Sequence, residues 1–309
     1  MQILITGGTG LIGKQLCKAL LAEGHELTVL SRKPSSVPAK CGAGVHAMAA
    51  LGEWHPGKTF DAVINLAGEP IVDAPWTKAR KQVLWNSRVT LTQELVKHIA
   101  TAGRKPAVLL SGSAVGYYGN RGDEEMYEAA DAGKDFPARL CKAWEDAAHA
   151  AEQAGVRVCL LRTGLILSNK GGLLGRMVPP FKLGLGARLG DGKQWMSWVH
   201  IDDYVAMVLR LLHDSFASGD QASLDRASGP YNMTAPQPAT NAEFTAALAK
   251  ALHRPALFAA PASLLKMAMG ERACLVLEGQ KVLPGKITAA GYRFQYPNLD
   301  AALGNLFGK

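Results

Sequence analysis

Residues 3–13 read Ile-Leu-Ile-Thr-Gly-Gly-Thr-Gly-Leu-Ile-Gly, a buried-strand pattern that runs straight into glycines and then into an apolar helix. Gly7 permits a tight turn, Gly10 lets a pyrophosphate approach the backbone, and Gly13 lets the helix pack closely on a sheet. The helix N-terminus adds free N–H groups and a positive dipole end for phosphates. The stretch predicts a dinucleotide-binding loop; the alternative is a glycine-rich turn without a ligand. The expected contacts to the cofactor are Thr6, Gly7, Thr9, Gly10, Leu11, Ile12 and Gly13.

Short apolar runs alternate with helical patterns after this loop, which is typical of a parallel sheet with helices on both faces. The predicted strands are Gln2–Thr6, Glu26–Leu30, Val45–Met48, Asp61–Asn65, Ala107–Ser111 and Val156–Arg162. The predicted helices between them are Leu11–Ala22, Thr77–Ala102 and Phe136–Ala154. The fold class is therefore α/β, a Rossmann-type doubly wound parallel sheet.

The pattern changes after Arg162, where residues 164–192 are rich in glycine and proline. A strand end and helix are predicted over Trp198–His213, a short strand over Tyr231–Thr234, and a helix over Thr240–Leu252 opened by a capping box. We expect a Rossmann domain over residues 1–165, to which the chain returns near 198–235. Residues 166–309 would form a smaller C-terminal α/β substrate lobe, with the ligand in a cleft between the two.

The end of the second predicted strand indicates which dinucleotide is bound. NAD sites usually place an acidic residue here for the ribose hydroxyls, whereas this chain has Ser31, Arg32 and Lys33. A planar guanidinium suits a 2′-phosphate, so these residues favour NADP (NADPH) over NAD, unless they are only a solvated loop. The fourth strand is followed by Leu66, Ala67, Gly68 and Glu69, which we expect to contact the cofactor. The small residues in this stretch would let the backbone pass beside the adenosine, although an ordinary strand-to-loop glycine explains the pattern equally well.

Composition narrows the possible partners and location of the protein further. The chain has 309 residues and a formal net charge of +8, but its basic residues are dispersed, which argues against nucleic acid as a partner. Five cysteines without a CxxC pair suggest neither a disulfide framework nor a zinc site, so we expect no metal and a reducing, cytoplasmic location. The apolar N-terminal run has no basic region before it, and no apolar stretch approaches the roughly 20 residues of a membrane helix.

Together these motifs resemble the extended short-chain dehydrogenase/reductases, the group of sugar-nucleotide epimerases and dehydratases. The resemblance covers nearly the whole chain and is closest to the YfcH-like epimerase family, whose substrate is not established. It rests on residues 6–13, 65–68, Asn86, 111–113, 161–162, 198–203 and 116–119, on Trp144-Glu145, and on a tail around 284–286 and 291–294. It implies further cofactor contacts at Asn86, Ser111 and Arg162.

The same resemblance raises a problem for catalysis. In the larger family a Ser orients the substrate, a Tyr exchanges a proton with it, and a Lys four residues after the Tyr holds the nicotinamide ribose. This chain keeps the Ser as Ser113, but no Tyr is followed by Lys at that spacing. Tyr117 or Tyr118 could serve as the acid, or both could be packing aromatics. Lys142 could hold the ribose, or it could be an exposed helix lysine.

Other polar groups allow two interpretations each. Asp202 or Asp203 is expected to cap the following helix rather than to bind a metal. Arg176 and Arg188 could hold an anion in the cleft or lie on the surface. Trp195, Met196 and Trp198 could form an aromatic wall of the cleft or belong to the core.

The leading hypothesis is an NADP-dependent oxidoreductase or epimerase-like enzyme acting on an unidentified small molecule. The alternative is a catalytically silent NADP-binding regulatory protein, which the resemblance to plant relatives links to cell or plastid division. Related proteins often dimerise through the equivalent of the long helix over Thr77–Ala102, so a homodimer is possible on either hypothesis.

Overall fold

A computed structural model describes residues 1–216 and 227–308, and at its centre is a parallel sheet of seven strands. The strands in the described residues are β1 (Gln2–Thr6), β2 (Glu26–Leu30), β3 (His46–Met48), β4 (Ala62–Asn65), β5 (Val108–Ala114), β6 (Glu125–Met126), β7 (Arg157–Thr163), β8 (Leu165–Leu167), β9 (Ala187–Leu189), β10 (Trp195–Met196), β11 (Trp198–His200), β12 (Gly229–Met233), β13 (Ala239–Thr240), β14 (Phe258–Ala260) and β15 (Lys281–Val282). The α-helices there are α1 (Leu11–Ala22), α2 (Val37–Cys41), α3 (Lys78–Trp85), α4 (Leu91–Thr101), α5 (Phe136–His149), α6 (Gly172–Lys182), α7 (Ile201–Asp214), α8 (Asn241–Ala251), α9 (Ala262–Met269), α10 (Cys274–Leu277), α11 (Gly285–Ala289) and α12 (Leu299–Phe307).

The order of the strands in the large sheet is β12-β7-β5-β4-β1-β2-β3. The chain builds outward from β1 through β2 to β3 and then returns to place β4 on the other side of β1. This reversal is the topological switch point at which doubly wound folds bind ligands, beyond the carboxyl ends of the strands. The predicted fold class is confirmed.

Two apolar layers cover the sheet, because successive side chains of a strand point to opposite faces. Ile3 and Ile5 face a layer that contains Leu16 of α1 and Met207 of α7. Leu4 faces the other layer, together with Leu95 and Ile99 of α4. Burial on both faces explains why these strands read as continuous apolar runs rather than as alternating ones.

Several predicted boundaries differ from the observed ones in an informative way. The fifth strand continues to Ala114, three residues beyond its expected end, because Gly112, Ser113 and Ala114 pair with β7. The predicted helix over Thr77–Ala102 is α3 and α4 joined by a π-helical turn over Asn86–Thr90. A single extra residue in a helical turn gives no periodicity signal that a sequence reading would detect.

Four two-stranded pairs organise the second half of the chain. Three of them are β8 with β11, β9 with β14, and β10 with β13, and the fourth joins β15 to β6. Helices α8 and α12 share an apolar cluster that includes Phe244 and Leu303. The capping box at Thr240 and Glu243 is present as predicted.

The start of α7 is capped differently from the expectation. His200, not Asp202 or Asp203, is the N-cap, and its Nδ1 accepts a hydrogen bond from the Asp202 backbone N–H at 3.2 Å. Asp203 is buried instead, and its carboxylate accepts from the Tyr292 hydroxyl and from the backbone N–H groups of Gln295 and Tyr296. Asp203 does not cap α7, because its carboxylate binds the C-terminal segment, which is distant in sequence.

Among the helices of the described residues, none combines the length and the apolar character needed to cross a bilayer.

Candidate functional site

The glycine-rich loop lies between the carboxyl end of β1 and the start of α1, beside the end of β4. A Cβ atom on Gly7, whose φ is +71°, would lie 2.5 Å from the Leu66 carbonyl oxygen. One on Gly13 would lie 2.4 Å from the Gly7 carbonyl oxygen. At Gly10 the nearest atom would be that same oxygen at 3.2 Å, and no other atom lies within 4 Å. Gly7 and Gly13 are therefore required by the fold, whereas a Cβ atom on Gly10 would meet only this one oxygen, in a tight contact that a shift of a few tenths of an ångström relieves.

Side chains beneath the loop tie β1, β4 and β5 together. The Thr6 hydroxyl donates to Asn65 Oδ1 at 2.6 Å and accepts from the Ala67 backbone N–H at 3.1 Å. Asn65 Nδ2 donates to Thr92 Oγ1 at 2.7 Å and to Ser111 Oγ at 3.2 Å. All of these side chains are buried, so Thr6 and Ser111 hold the strand ends in place from below.

The end of β2 carries the predicted phosphate-binding residues. The Arg32 side chain is 90% exposed, and its Nη1 lies 2.6 Å from Glu69 Oε1. Ser31 Oγ accepts a hydrogen bond from the Lys33 backbone N–H at 3.1 Å, which shapes the turn. Glu69, expected as a cofactor contact, is thus a partner of Arg32 across the switch point. A carboxylate at this place anchors the guanidinium but repels a phosphate.

The π-helical turn between α3 and α4 supports the Gly68 backbone. Arg88 Nη2 donates to the Glu69 carbonyl oxygen at 2.9 Å, and a Cβ atom on Gly68 would lie 3.0 Å from the guanidinium carbon. Burial lowers the pKa of Arg88 below its usual value. Asn86 is exposed, and its Oδ1 accepts hydrogen bonds within its own helix, from Gln82 and Thr90.

A buried charged network lies at the carboxyl ends of β5 and β7. Arg162 forms a two-pronged ion pair with Glu145 of α5, with Nε to Oε1 and Nη2 to Oε2 both at 2.9 Å. The Ser113 hydroxyl donates to the same Oε1 at 2.6 Å. Arg162 Nη1 donates to the Tyr118 hydroxyl at 2.9 Å, and that hydroxyl donates to Asn232 Oδ1 at 2.6 Å. The hydrogen bonds of both charges are thus met inside the protein, as burial requires.

The two tyrosines of the loop after β5 have different surroundings. Tyr118 is fully buried and its hydroxyl is used by the network, and burial raises its pKa to about 12. Tyr117 is half-buried, and its ring lies against Arg162 with the guanidinium carbon 3.6 Å from the ring centroid. Within the described residues no hydrogen bond engages the Tyr117 hydroxyl. The nearby Arg162 guanidinium acts to lower the pKa of Tyr118, but burial outweighs this attraction.

Lys142 and Cys141 lie on α5, about one turn before Glu145. The Lys142 side chain is 56% exposed and pairs with Asp146 one turn on, with Nζ 2.7 Å from Oδ2. This hydrogen bond raises the pKa of Lys142 above its usual value. Cys141 is buried beside Ser113, and burial raises the pKa of its thiol to about 12, so the thiol is neutral.

Sequence reasoning missed Glu145 and Asn232 as members of this site. A signal was present for the first, because Glu145 falls on the apolar face of α5 with Cys141 and Trp144, and a carboxylate on such a face needs a buried partner. Arg162, near the end of a mostly apolar strand, likewise indicated that a buried charge needs a partner. Asn232 lies on β12, far along the chain, and nothing local marks it.

The remaining candidates are not drawn into this network. Arg176 pairs with Asp73, and Trp195 Nε1 donates to Asp123 Oδ1 at 2.8 Å. Trp198 is fully buried and belongs to the core of the second half.

The fold and the loop define a Rossmann-type dinucleotide-binding protein, and the comparisons with known proteins give its family. The model of the NAD dependent epimerase/dehydratase family matches residues 3–223, and a domain of unknown function, DUF1731, matches residues 260–306. The chain belongs to this epimerase/dehydratase family.

The relatives are similar over their full length. The chain is 42% identical to the epimerase family protein MT2273 of Mycobacterium tuberculosis, over 98% of this chain and 96% of that one. It is 38% identical to the epimerase family protein MW0731 of Staphylococcus aureus, over 99% and 98%. The crystal structure of the human epimerase family protein SDR39U1 (isoform 2) with NADPH superimposes with a TM-score of 0.88, at 34% identity and 99% coverage of both chains.

Proposed function

We propose that the protein is an NADP(H)-dependent oxidoreductase or epimerase-like enzyme acting on a small molecule. The observation that carries the proposal is the loop after β1, where backbone excludes a Cβ atom at Gly7 and Gly13, whereas at Gly10 a Cβ atom would meet only the Gly7 carbonyl oxygen, at 3.2 Å. This is the space a pyrophosphate needs over a helix N-terminus. The similar human protein was crystallised with NADPH, which supports the choice of cofactor family.

The cofactor contacts follow from this placement. The backbone of residues 7–13 would hold the pyrophosphate, Arg32 with Ser31 and Lys33 the 2′-phosphate, and residues 66–69 the adenosine. Thr6 and Ser111 act from beneath the loop through Asn65. Asn86 would contact the cofactor from the π-helical turn. Arg162 would act on the cofactor indirectly, through the Tyr117 ring that it positions. When bound, NADP(H) supplies or accepts a hydride.

Ser113 and Tyr117 are the residues we assign to the substrate. Because the Ser113 proton is directed at Glu145, its oxygen is left to accept a hydrogen bond from a substrate hydroxyl. Among the described residues no hydrogen bond engages the Tyr117 hydroxyl, and Arg162 holds its ring, as proton exchange with a substrate would require. Tyr118 serves to position Arg162. Lys142 lies outside the network and would hold the ribose only after leaving Asp146.

The proposal also includes a cytoplasmic location and a homodimer through the helical region over residues 77–102. Both extend beyond the observations above and stay predictions.

The test begins with a screen of carbonyl compounds and nucleotide sugars in which NADPH absorbance is followed. With a substrate in hand, Tyr117→Phe and Ser113→Ala should each lower kcat by about 10²- to 10⁴-fold with NADPH affinity unchanged, since loss of proton transfer costs about that much. Tyr118→Phe is the matched control: it removes a buried hydroxyl and should lower stability more than it lowers the rate in the folded fraction.

Equal turnover by all three variants would remove the assignment of Ser113 and Tyr117. Tight NADPH binding without turnover on a broad panel would favour the regulatory alternative. Failure to bind NADPH at all would contradict the proposed function itself.

A further inference from the structure

Two histidines and a glutamate meet on the side of the sheet where α1 packs against α7. His213 Nε2 lies 2.9 Å from Glu23 Oε2, and His25 Nε2 lies 3.2 Å from the same oxygen. The three donor atoms all lie within 4.8 Å of one another. None of these residues takes part in the loop or in the network described above.

The turn that presents two of these side chains is fixed by backbone hydrogen bonds. Helix α1 ends in a paired arrangement in which the His25 N–H donates to Leu20 O at 3.1 Å and the Gly24 N–H donates to Leu21 O at 3.0 Å. Gly24 has a φ of +78°, which a glycine at this position of the turn adopts without strain. Glu23 and His25 are therefore held on either side of a rigid corner, and the last turn of α7 brings His213 to them.

We propose that Glu23, His25 and His213 form a binding site for a divalent transition metal ion of the Zn²⁺ class, with water in the remaining position. Two imidazoles and a carboxylate are a donor set that Zn²⁺ accepts, at bond lengths of about 2.0–2.2 Å. Tetrahedral bonds of that length place neighbouring donor atoms about 3.3 Å apart. The separations of 2.9 and 3.2 Å are within a few tenths of an ångström of that value.

The state of His25 agrees with this role. Its Nε2 is buried and makes no hydrogen bond of acceptable geometry to any of the described residues, although the Glu23 carboxylate lies beside it. The Glu23 and His213 side chains are 34% and 49% exposed, so an ion can enter from solvent.

An ion at this place would fasten the α1–β2 turn to the end of α7, and it would stabilise the protein by binding only the folded state. To test this, a chelator removes bound metal from the protein, which is then titrated with Zn²⁺ alone. Zn²⁺ binding is measured by competition with a zinc indicator dye and by thermal unfolding. Zn²⁺ should raise Tm by about 2–4 °C, and Mg²⁺ should not. His213→Ala and Glu23→Gln should each weaken Zn²⁺ binding at least tenfold and remove the rise in Tm.

A matched control is available on α5. His149 Nδ1 lies 3.3 Å from Glu152 Oε1 in a similarly exposed pair without a second imidazole, so His149→Ala should leave the affinity unchanged. Urea unfolding of the metal-free variants shows that each is folded. Affinity unchanged by His213→Ala and by Glu23→Gln, or lost equally with His149→Ala, would overturn the proposal.

Discussion

At the scale of single residues, the position of a charge decides its energetic importance more than its identity does. Glu145 and Arg162 are each no more than about one-twentieth exposed and form a two-pronged pair, whereas Lys142 and Asp146 on the same helix are more than half exposed. A buried pair is costly to break because the remaining charge loses its partner without regaining water, while an exposed pair contributes little.

Glu145→Gln should therefore lower the free energy of unfolding by about 3–5 kcal/mol, because it leaves Arg162 buried and uncompensated. Asp146→Asn should change it by less than about 1 kcal/mol. Urea unfolding of both variants checks this. Similar losses in the two variants would mean that Arg162 finds another partner or that water reaches it.

Arg32 is the residue on which the cofactor preference depends. If its guanidinium binds the 2′-phosphate, NADPH should bind more tightly than NADH, and Arg32→Asp should lower NADPH affinity by about 10- to 100-fold and erase the preference. The exposed Arg293 provides the control, since Arg293→Asp makes the same charge change elsewhere. Calorimetry that finds equal affinity of the unaltered protein for both nucleotides would rule out this role.

At the scale of elements, the strand–loop–helix unit at residues 2–22 shows how one motif combines a folding and a binding requirement. Gly13 lies against backbone of the same unit and Gly7 against the Leu66 and Ala67 backbone after β4, so neither could carry a side chain without moving the loop. Gly10 is the N-cap of α1, has a φ of −76°, and receives no side-chain cap, so the first N–H groups of the helix remain directed outward.

Gly10→Val should abolish NADPH binding and preserve the fold, because the side chain would fill the space of the pyrophosphate. Gly13→Val is the matched comparison, and it should destabilise or unfold the protein because its Cβ atom would lie 2.4 Å from the Gly7 carbonyl oxygen. Circular dichroism and nucleotide binding separate the two effects. A folded Gly10→Val variant that binds NADPH normally would show that the loop is only structural.

At the scale of the whole molecule, the C-terminal segment is fastened to the sheet by polar groups that are distant in sequence. Asp203 at the start of α7 accepts hydrogen bonds from Tyr292, Gln295 and Tyr296 at 2.8 to 2.9 Å. Ile287 packs into the same apolar layer as β1. The segment that matches DUF1731 therefore shares a core with the segment that matches the epimerase family.

Asp203→Ala should lower the free energy of unfolding by about 2–3 kcal/mol, because two partly buried backbone N–H groups and a tyrosine hydroxyl lose a charged acceptor. Asp202→Ala, one residue earlier and exposed, should cost much less.

In the unaltered protein, unfolding followed by tryptophan fluorescence and by circular dichroism should coincide, as expected for one cooperative unit. Two separate transitions would show instead that the C-terminal segment unfolds alone.

The parallel sheet, its alternation with helices and the glycine-rich loop could all be predicted from the amino-acid sequence alone. Each of these features has a signal in neighbouring residues. Buried strands appear as apolar runs, helices appear as apolar residues at helical spacing, and the tight turn appears as glycines. Residues 7–13 and the end of β2 could therefore be proposed as a cofactor site from the sequence. The resemblance carried by residues 111–119 and 198–203 added the family.

Which polar groups contact one another could not be predicted, because it depends on how the elements pack. Glu145 and Arg162 are 17 residues apart, Tyr118 and Asn232 114 apart, and Glu23 and His213 190 apart. No local pattern encodes such pairs, because each partner satisfies its own strand or helix equally well before the elements pack. The choice between Tyr117 and Tyr118, the cap at His200 and the cluster at His25 all depend on burial against distant segments, and burial is a property of the packed chain.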